Sequence, residues 1–300
     1  MFFKNLIVFR LVEDKITTAA ALSEALSKGR FCPPGQTDLK SAGWVAPRPD
    51  GDLAYNVGRQ ILIALRVEEK ILPSSVVRKE TLIRAKAIEK EMDRKVGRKE
   101  MRQLAEAVTQ EFLPRAFSND RHTLVWVDPI NRWVVVDGSK SRAEEVIELL
   151  AKTLADLPLK AVATAKSPGN AMTQWLAANE APAAFSIDRD CELKAGTGEN
   201  ATVKYAHHAL DGDDVRHHLG TGKTTTRLAM TFDDRISFVL TDAFEIKRVV
   251  FLDLVAEQAE QQSQQNEEDI FDSEFAIMTG ELARLFPALV EALGGEEEAE

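Results

Sequence analysis

The densest run of side chains with chemical potential lies between residues 204 and 227. Gly220-Thr221-Gly222-Lys223-Thr224-Thr225 carries the Gly-Lys-Thr end of a phosphate-binding loop, in which a lysine and successive backbone amides hold nucleotide phosphates. That motif needs a glycine five residues before Gly222, where this chain has His217, and a passage from strand into helix. Here Thr224-Thr225-Thr226-Arg227-Leu228-Ala229-Met230 has the β-branched start of a strand instead. The spacing therefore predicts a turn feeding a strand, with Lys223 and Arg227 left to contact phosphates. Just upstream, the pairs His207-His208 and His217-His218 bracket Asp211, Asp213 and Asp214. Imidazoles and carboxylates ligate metals, but adjacent side chains on one element diverge, so these pairs predict solvated polar residues rather than a shared ion.

A metal-dependent nuclease would need carboxylates gathered from places such as Asp128, Asp137, Asp233 and Asp234. Each falls at a predicted strand end or turn, where aspartate serves local hydrogen bonds. No Ser-His-Asp, Cys-His or dinucleotide glycine signature is present, and neither a cofactor nor a metal is expected. Cys32 and Cys191 lie far apart without CxxC spacing, which fits a reduced cytoplasmic protein better than a disulfide scaffold or a structural zinc site.

The elements that must position these residues follow from periodicity. Residues 4–11 read as a strand covered on both faces, followed by a helix with Thr17 or Thr18 as N-cap and Ala21, Leu22, Ala25 and Leu26 as its apolar stripe. Residues 61–67 read as a buried strand leading to Pro73. From Val76 to Phe112 apolar residues recur at helical spacing, so two helices broken at Gly97 are expected, and Pro114 closes them. Residues 124–127 and 132–136 form a predicted hairpin, and residues 144–157 an amphipathic helix. The Ala/Pro/Gly-rich stretch 161–200 shows only short patterned pieces, with a subdomain boundary near Ser167-Pro168-Gly169. Residues 224–232, 235–240 and 246–252 predict a three-strand meander. Residues 256–269 read as a solvated helix extension or linker, and residues 274–293 as a final helix ending at Gly294-Gly295.

Three hundred residues at 44% apolar composition support a substantial core, and no 18-residue apolar run is present to span a membrane. The net charge of −10 hides a segregation: from Val249 onward there are 14 acids against one base, Arg284, while the preceding 248 residues carry 34 acids and 37 lysines and arginines. Ten of those cations fall between Arg78 and Arg102, against five acids. A basic surface is thus compatible with an acidic whole, and a nucleic-acid partner is not excluded. The residues alone support an α+β protein with a locally basic surface and no evident catalytic centre.

The C-terminal run Phe271-Asp272-Ser273-Glu274-Phe275-Ala276-Ile277-Met278-Thr279-Gly280-Glu281-Leu282, ending in Glu291-Ala292-Leu293-Gly294-Gly295, resembles the end of the bacterial recombination-associated RdgC family. So do Lys4-Asn5-Leu6-Ile7-Val8-Phe9-Arg10, Glu68-Glu69-Lys70-Ile71-Leu72-Pro73, Leu113-Pro114-Arg115-Ala116-Phe117-Ser118, and Gly222-Lys223 with Thr226-Arg227-Leu228-Ala229. The blocks keep family order across essentially the whole chain. The resemblance implies a curved monomer with mixed or antiparallel sheets and helices: a central region over 1–73 and 115–166, a basic helical tip over 74–114, and a base over 167–300. It also implies a ring-shaped homodimer, nucleoid-associated in the cytoplasm, that encircles double-stranded DNA, with single-stranded DNA as a further ligand, and restrains RecA-promoted recombination without catalysis.

Arg78, Lys79, Arg84, Lys86, Arg115, Arg121, Lys204, His207, His208, Lys223 and Arg227 are the expected DNA contacts. Two departures from the family stand out. Asn119-Asp120-Arg121-His122 occupies a tip loop where relatives carry aromatic and basic residues, and Lys204-Tyr205-Ala206-His207-His208 replaces a more basic stretch. The rival readings are a metal-dependent DNA-processing enzyme and a protein-binding adaptor of the recombinase.

Overall fold

The computed structural model describes residues 2–12, 18–49, 51–154, 159–196, 201–252 and 267–297. In chain order the strands are β1 (Leu6–Leu11), β2 (Lys40–Val45), β3 (Ala54–Val57), β4 (Gln60–Lys70), β5 (Ser118–Asp128), β6 (Trp133–Asp137), β7 (Leu159–Ala161), β8 (Phe185–Ala195), β9 (Thr202–Tyr205), β10 (Lys223–Phe232), β11 (Ile236–Thr241) and β12 (Ile246–Phe251). The helices are α1 (Ala19–Ser27), α2 (Ser74–Met92), α3 (Arg98–Phe112), α4 (Lys140–Thr153), α5 (Pro168–Ala178), α6 (Asp213–Gly220) and α7 (Glu267–Ala292). The strands make one 12-stranded sheet in the order β2-β4-β5-β6-β1-β12-β11-β10-β8-β9, with β3 against β4 and β7 against β1, and these strand pairings are antiparallel. The fold is α+β, as the sequence predicts.

Alternation along β4 explains how both faces of the sheet are covered. Ile61, Ile63, Leu65 and Val67 enter a core with Leu22 and Leu26 of α1 and Ala143, Val146 and Leu150 of α4. Leu62 points the other way, into a larger core built around α7. Phe275, Met278, Leu282, Leu285, Phe286, Leu289 and Leu293 recur at helical spacing and are buried there. They meet Trp126 and Trp133 of β5 and β6 as well as Leu228, Met230, Phe238 and Ile246 from β10 to β12. One helix therefore joins the two halves of the sheet. Thr18 caps α1 as expected, its hydroxyl accepting from the Ala21 amide at 3.2 Å.

Several boundaries differ from the sequence expectation. The predicted helix over 144–157 starts at Lys140, behind Ser139 in extended N-cap geometry, and ends at Thr153. Residues 155–157 lie outside the described set. The stretch 161–200 holds a full helix, α5, capped by Ser167 with Pro168 in its first turn, and the 11-residue strand β8. Small residues hid the helix. Outward Asp188, Asp190 and Glu192, together with register shifts against β10, blurred the alternation of β8. The expected loop at Asn119–His122 is the first part of β5, since Ser118 to Leu124 pair residue by residue with β4. Residues 256–266 of the predicted linker lie outside the described residues, and 267–269 belong to α7.

Candidate nucleic-acid interface

α2 places Arg78, Lys79 and Lys86 along one side with Ser74, Ser75, Leu82 and Ile83, around an open cavity of about 740 Å³. Positions 79, 82, 83 and 86 fall on neighbouring turns of one face. All three cations are exposed and carry no ion pair among the described residues. Arg84 points elsewhere: its Nε pairs with Glu80 and its Nη1 with Glu111 of α3, each at 2.9 Å, so it ties α2 to α3. Arg115 is exposed just past α3, close enough to Glu111 to help hold that carboxyl below its usual range, after the larger effect of the Arg84 hydrogen bond.

Arg121 is turned toward α4, where its Nη2 meets Glu145 Oε2 at 2.6 Å, and Lys40 of β2 meets the other oxygen at 2.6 Å. Burial pushes the Glu145 carboxyl up, but these two cations outweigh it and hold the group below the usual carboxylate range. A depressed carboxylate contributes stability above its unfolded value near pH 4.3, which is lost as pH falls through the lower folded value. Glu145→Gln is expected to cost about 1 kcal/mol at neutral pH and to flatten the stability loss below about pH 4. Urea unfolding across that range checks both.

The remaining candidates lie around β8 to β10. Arg227 stands opposite Glu192, and Glu192 opposite Lys204, so the three form a row across β10, β8 and β9 with one carboxylate between two cations. Lys204 Nζ is 3.2 Å from Glu192, whereas Arg227 is exposed and carries no ion pair among the described residues. His207 has φ 53° and donates its backbone amide to Asp190 Oδ1 at 2.8 Å. The His208 ring lies 5.2 Å from Tyr205, with Nδ1 donating to the Ala209 carbonyl at 2.6 Å, since a carbonyl can only accept. Burial, then the nearby Asp214 carboxylate, pushes the Tyr205 hydroxyl up to about 12. The glycine-lysine segment runs from α6 into β10, the reverse of a phosphate loop. Gly222 turns it at φ 84°, and Lys223 Nζ donates to Thr221 Oγ1 at 3.3 Å.

The candidate carboxylates sit in turns or hold a distant backbone segment. Asp128 is buried and accepts from the Ile130 and Asn131 amides and from Asn131 Nδ2 at 3.0, 3.1 and 2.7 Å. Asp137 accepts from the Lys4 and Asn5 amides, both at 3.0 Å. Asp233 and Asp234, at φ 51° and 53°, make the β10–β11 hairpin turn, and Asp233 pairs with Arg284 of α7. Among the described residues no three His, Cys, Asp or Glu side chains gather as they would around a metal ion, and no helix is long and apolar enough to cross a membrane. The structure thus separates the proposed cations into a set on α2 and a row near β10, with Arg84 and Arg121 tied to carboxylates. Sequence reasoning missed Arg189 and Arg248, which flank the open face of β8, β11 and β12 in a cavity of about 560 Å³ shared with His207. The irregular alternation of β8 hid Arg189, whereas Arg248 stood in the predicted strand β12 with no local signal that set it apart.

The family described as "Putative exonuclease, RdgC" matches residues 1–296. A recombination-associated protein RdgC of Janthinobacterium sp. (strain Marseille) is 48% identical over 300 residues, covering 99% of each chain. One from Dechloromonas aromatica (strain RCB) is 50% identical over 302 residues, covering 99% of this chain and 98% of its own. With matches of that length and identity, this chain belongs to the RdgC family of recombination-associated proteins.

Proposed function

We propose that this protein binds double-stranded DNA without strong sequence preference, as a ring-shaped homodimer, and restrains RecA-promoted strand exchange by occupying the DNA without cutting it. In this reading residues 74–114 are the tip, residues 167–300 the base, and the protein is nucleoid-associated. One observation carries it: Arg78, Lys79, Lys86, Arg115 and Arg227 stand exposed with no ion pair among the described residues, ready for phosphate oxygens. A second reading, metal-dependent cleavage, is favoured by the description that the family carries. The commitment of Asp128 to its own turn and of Asp137 to the Lys4 and Asn5 backbone amides favours the first.

A gel-shift assay with Mg²⁺ present, followed by inspection of the DNA, separates the readings. Binding of unrelated duplexes alike with the DNA intact is expected; cut DNA supports the enzyme, and no shift supports an adaptor. Replacing Lys223 and Arg227 by Ala should weaken all duplexes alike and reduce the salt slope by about one for each phosphate no longer neutralised.

A further inference from the structure

At the end of β4 and β5 remote from α2, the turns carrying Arg59 and Arg132 line a cavity of about 690 Å³ with Asn56 and Ile130. The Arg132 carbonyl accepts from the Leu11 amide at 3.0 Å, which puts Arg10 beside this turn. Arg10 is unusually well fixed. Its guanidinium carbon lies 3.5 Å above the ring of Trp133, a side chain only 1% exposed, and its Nη1 donates to the Asn131 carbonyl. The remaining edge of the fork holds the carboxylate of Glu296: Nε donates to Oε1 at 2.6 Å and Nη2 pairs with the same oxygen.

Glu296 opens the acidic end of the chain. Gly294 and Gly295, at φ 88° and 93°, turn the backbone out of α7, and it is pinned by Ala165 N to Gly295 O at 3.0 Å and Glu297 N to Ala163 O at 3.1 Å. Those backbone bonds do not involve the Glu296 side chain, which can leave without unfolding the terminus. The pair is also within reach of solvent, with side-chain exposures of 29% for Arg10 and 39% for Glu296. A planar guanidinium fork accepts a carboxylate or a phosphate in the same geometry. Trp133 and Asn131 keep that fork aimed whichever anion is present.

We propose that the Arg10 guanidinium is a phosphate seat occupied by the chain's own Glu296 in the DNA-free protein, so that a DNA phosphate gains it by displacing the Glu296 carboxylate, with Arg59 and Arg132 drawing the DNA backbone to that end of the sheet. This rests on the DNA-binding reading. The acidic terminus is then a built-in competitor of DNA.

The test is a two-by-two comparison of duplex binding at low salt, using the full chain, Glu296→Gln, Arg10→Gln and the double variant, each with a thermal melt. Glu296→Gln should tighten binding by about two- to fivefold, the scale of a partly exposed ion pair, and the gain should fade as salt rises. In the Arg10→Gln background the same substitution should change nothing, and Arg10→Lys, which keeps the charge, should restore part of the gain. If Glu296→Gln lowers the melting temperature and leaves affinity unchanged, Glu296 is a tether and the proposal falls. If the gain persists undiminished without Arg10, the terminus repels DNA at large and Arg10 is not the seat. Failure of the unaltered protein to bind duplex DNA would overturn the DNA reading itself, an outcome distinct from both.

Discussion

Affinity for duplex DNA should fall by about a thousandfold between about 50 and about 200 mM salt, with little difference among sequences, if about six phosphates are neutralised. The number follows from the exposed cations. Arg78, Lys79 and Lys86 on α2, and Arg115 and Arg227 beyond it, already give five side chains without an ion pair among the described residues, and the proposed dimer would double them. Long flexible cations on a helix and a strand face reach phosphate oxygens but present no fixed pattern to base edges, so position is set without sequence being read. Arg84 should contribute little, because Glu80 and Glu111 already hold it. Fluorescence anisotropy titrations over a salt series check the slope. A flat dependence, or strong preference for one sequence, would count against phosphate contact as the source of affinity.

Phe286→Ala should destabilise the protein by about 3–5 kcal/mol, the range for truncating a buried aromatic. Phe286 is fully buried, 6.0 Å from the Trp126 ring and 5.4 Å edge-on to Trp133. Its helix also packs Leu282, Leu285 and Leu289 into the core shared with β10 to β12. Removing the ring opens a cavity where the two halves of the sheet share one core, so the loss is felt across both. Against a typical domain stability of about 5–15 kcal/mol, that is a large fraction. Phe286→Leu, which keeps much of the volume, should cost less. Urea unfolding followed by tryptophan fluorescence checks both, since Trp126 and Trp133 report on the same packing.

The elements legible from sequence are those with a continuous apolar run, a regular apolar period or a cap. The apolar run of β4, the Thr18 cap of α1, the helix break at Gly97 and the strands of the β10 to β12 meander all follow from residues near in sequence. β8 was not legible because its open face carries Asp188, Asp190 and Glu192 and its register shifts twice against β10. The polar start of β5 was not legible because only pairing with β4, a distant segment, makes it a strand. The interface shows the same limit. Charge clustering drew attention to Arg84 and the family resemblance to Arg121, but their partners Glu111 and Glu145 lie 27 and 24 residues away on other elements. The hold of Glu296 on Arg10 spans 286 residues and had no local signal at all.

Encirclement of DNA by a dimer is tested most directly by comparing dissociation from covalently closed circular duplex with dissociation from the same molecule after one double-strand cut. At low salt the circle should retain the protein far longer, and the cut should release it, because a closed ring leaves linear DNA by sliding off an end but leaves a circle only by opening. Equal dissociation from circle and linear duplex would contradict encirclement.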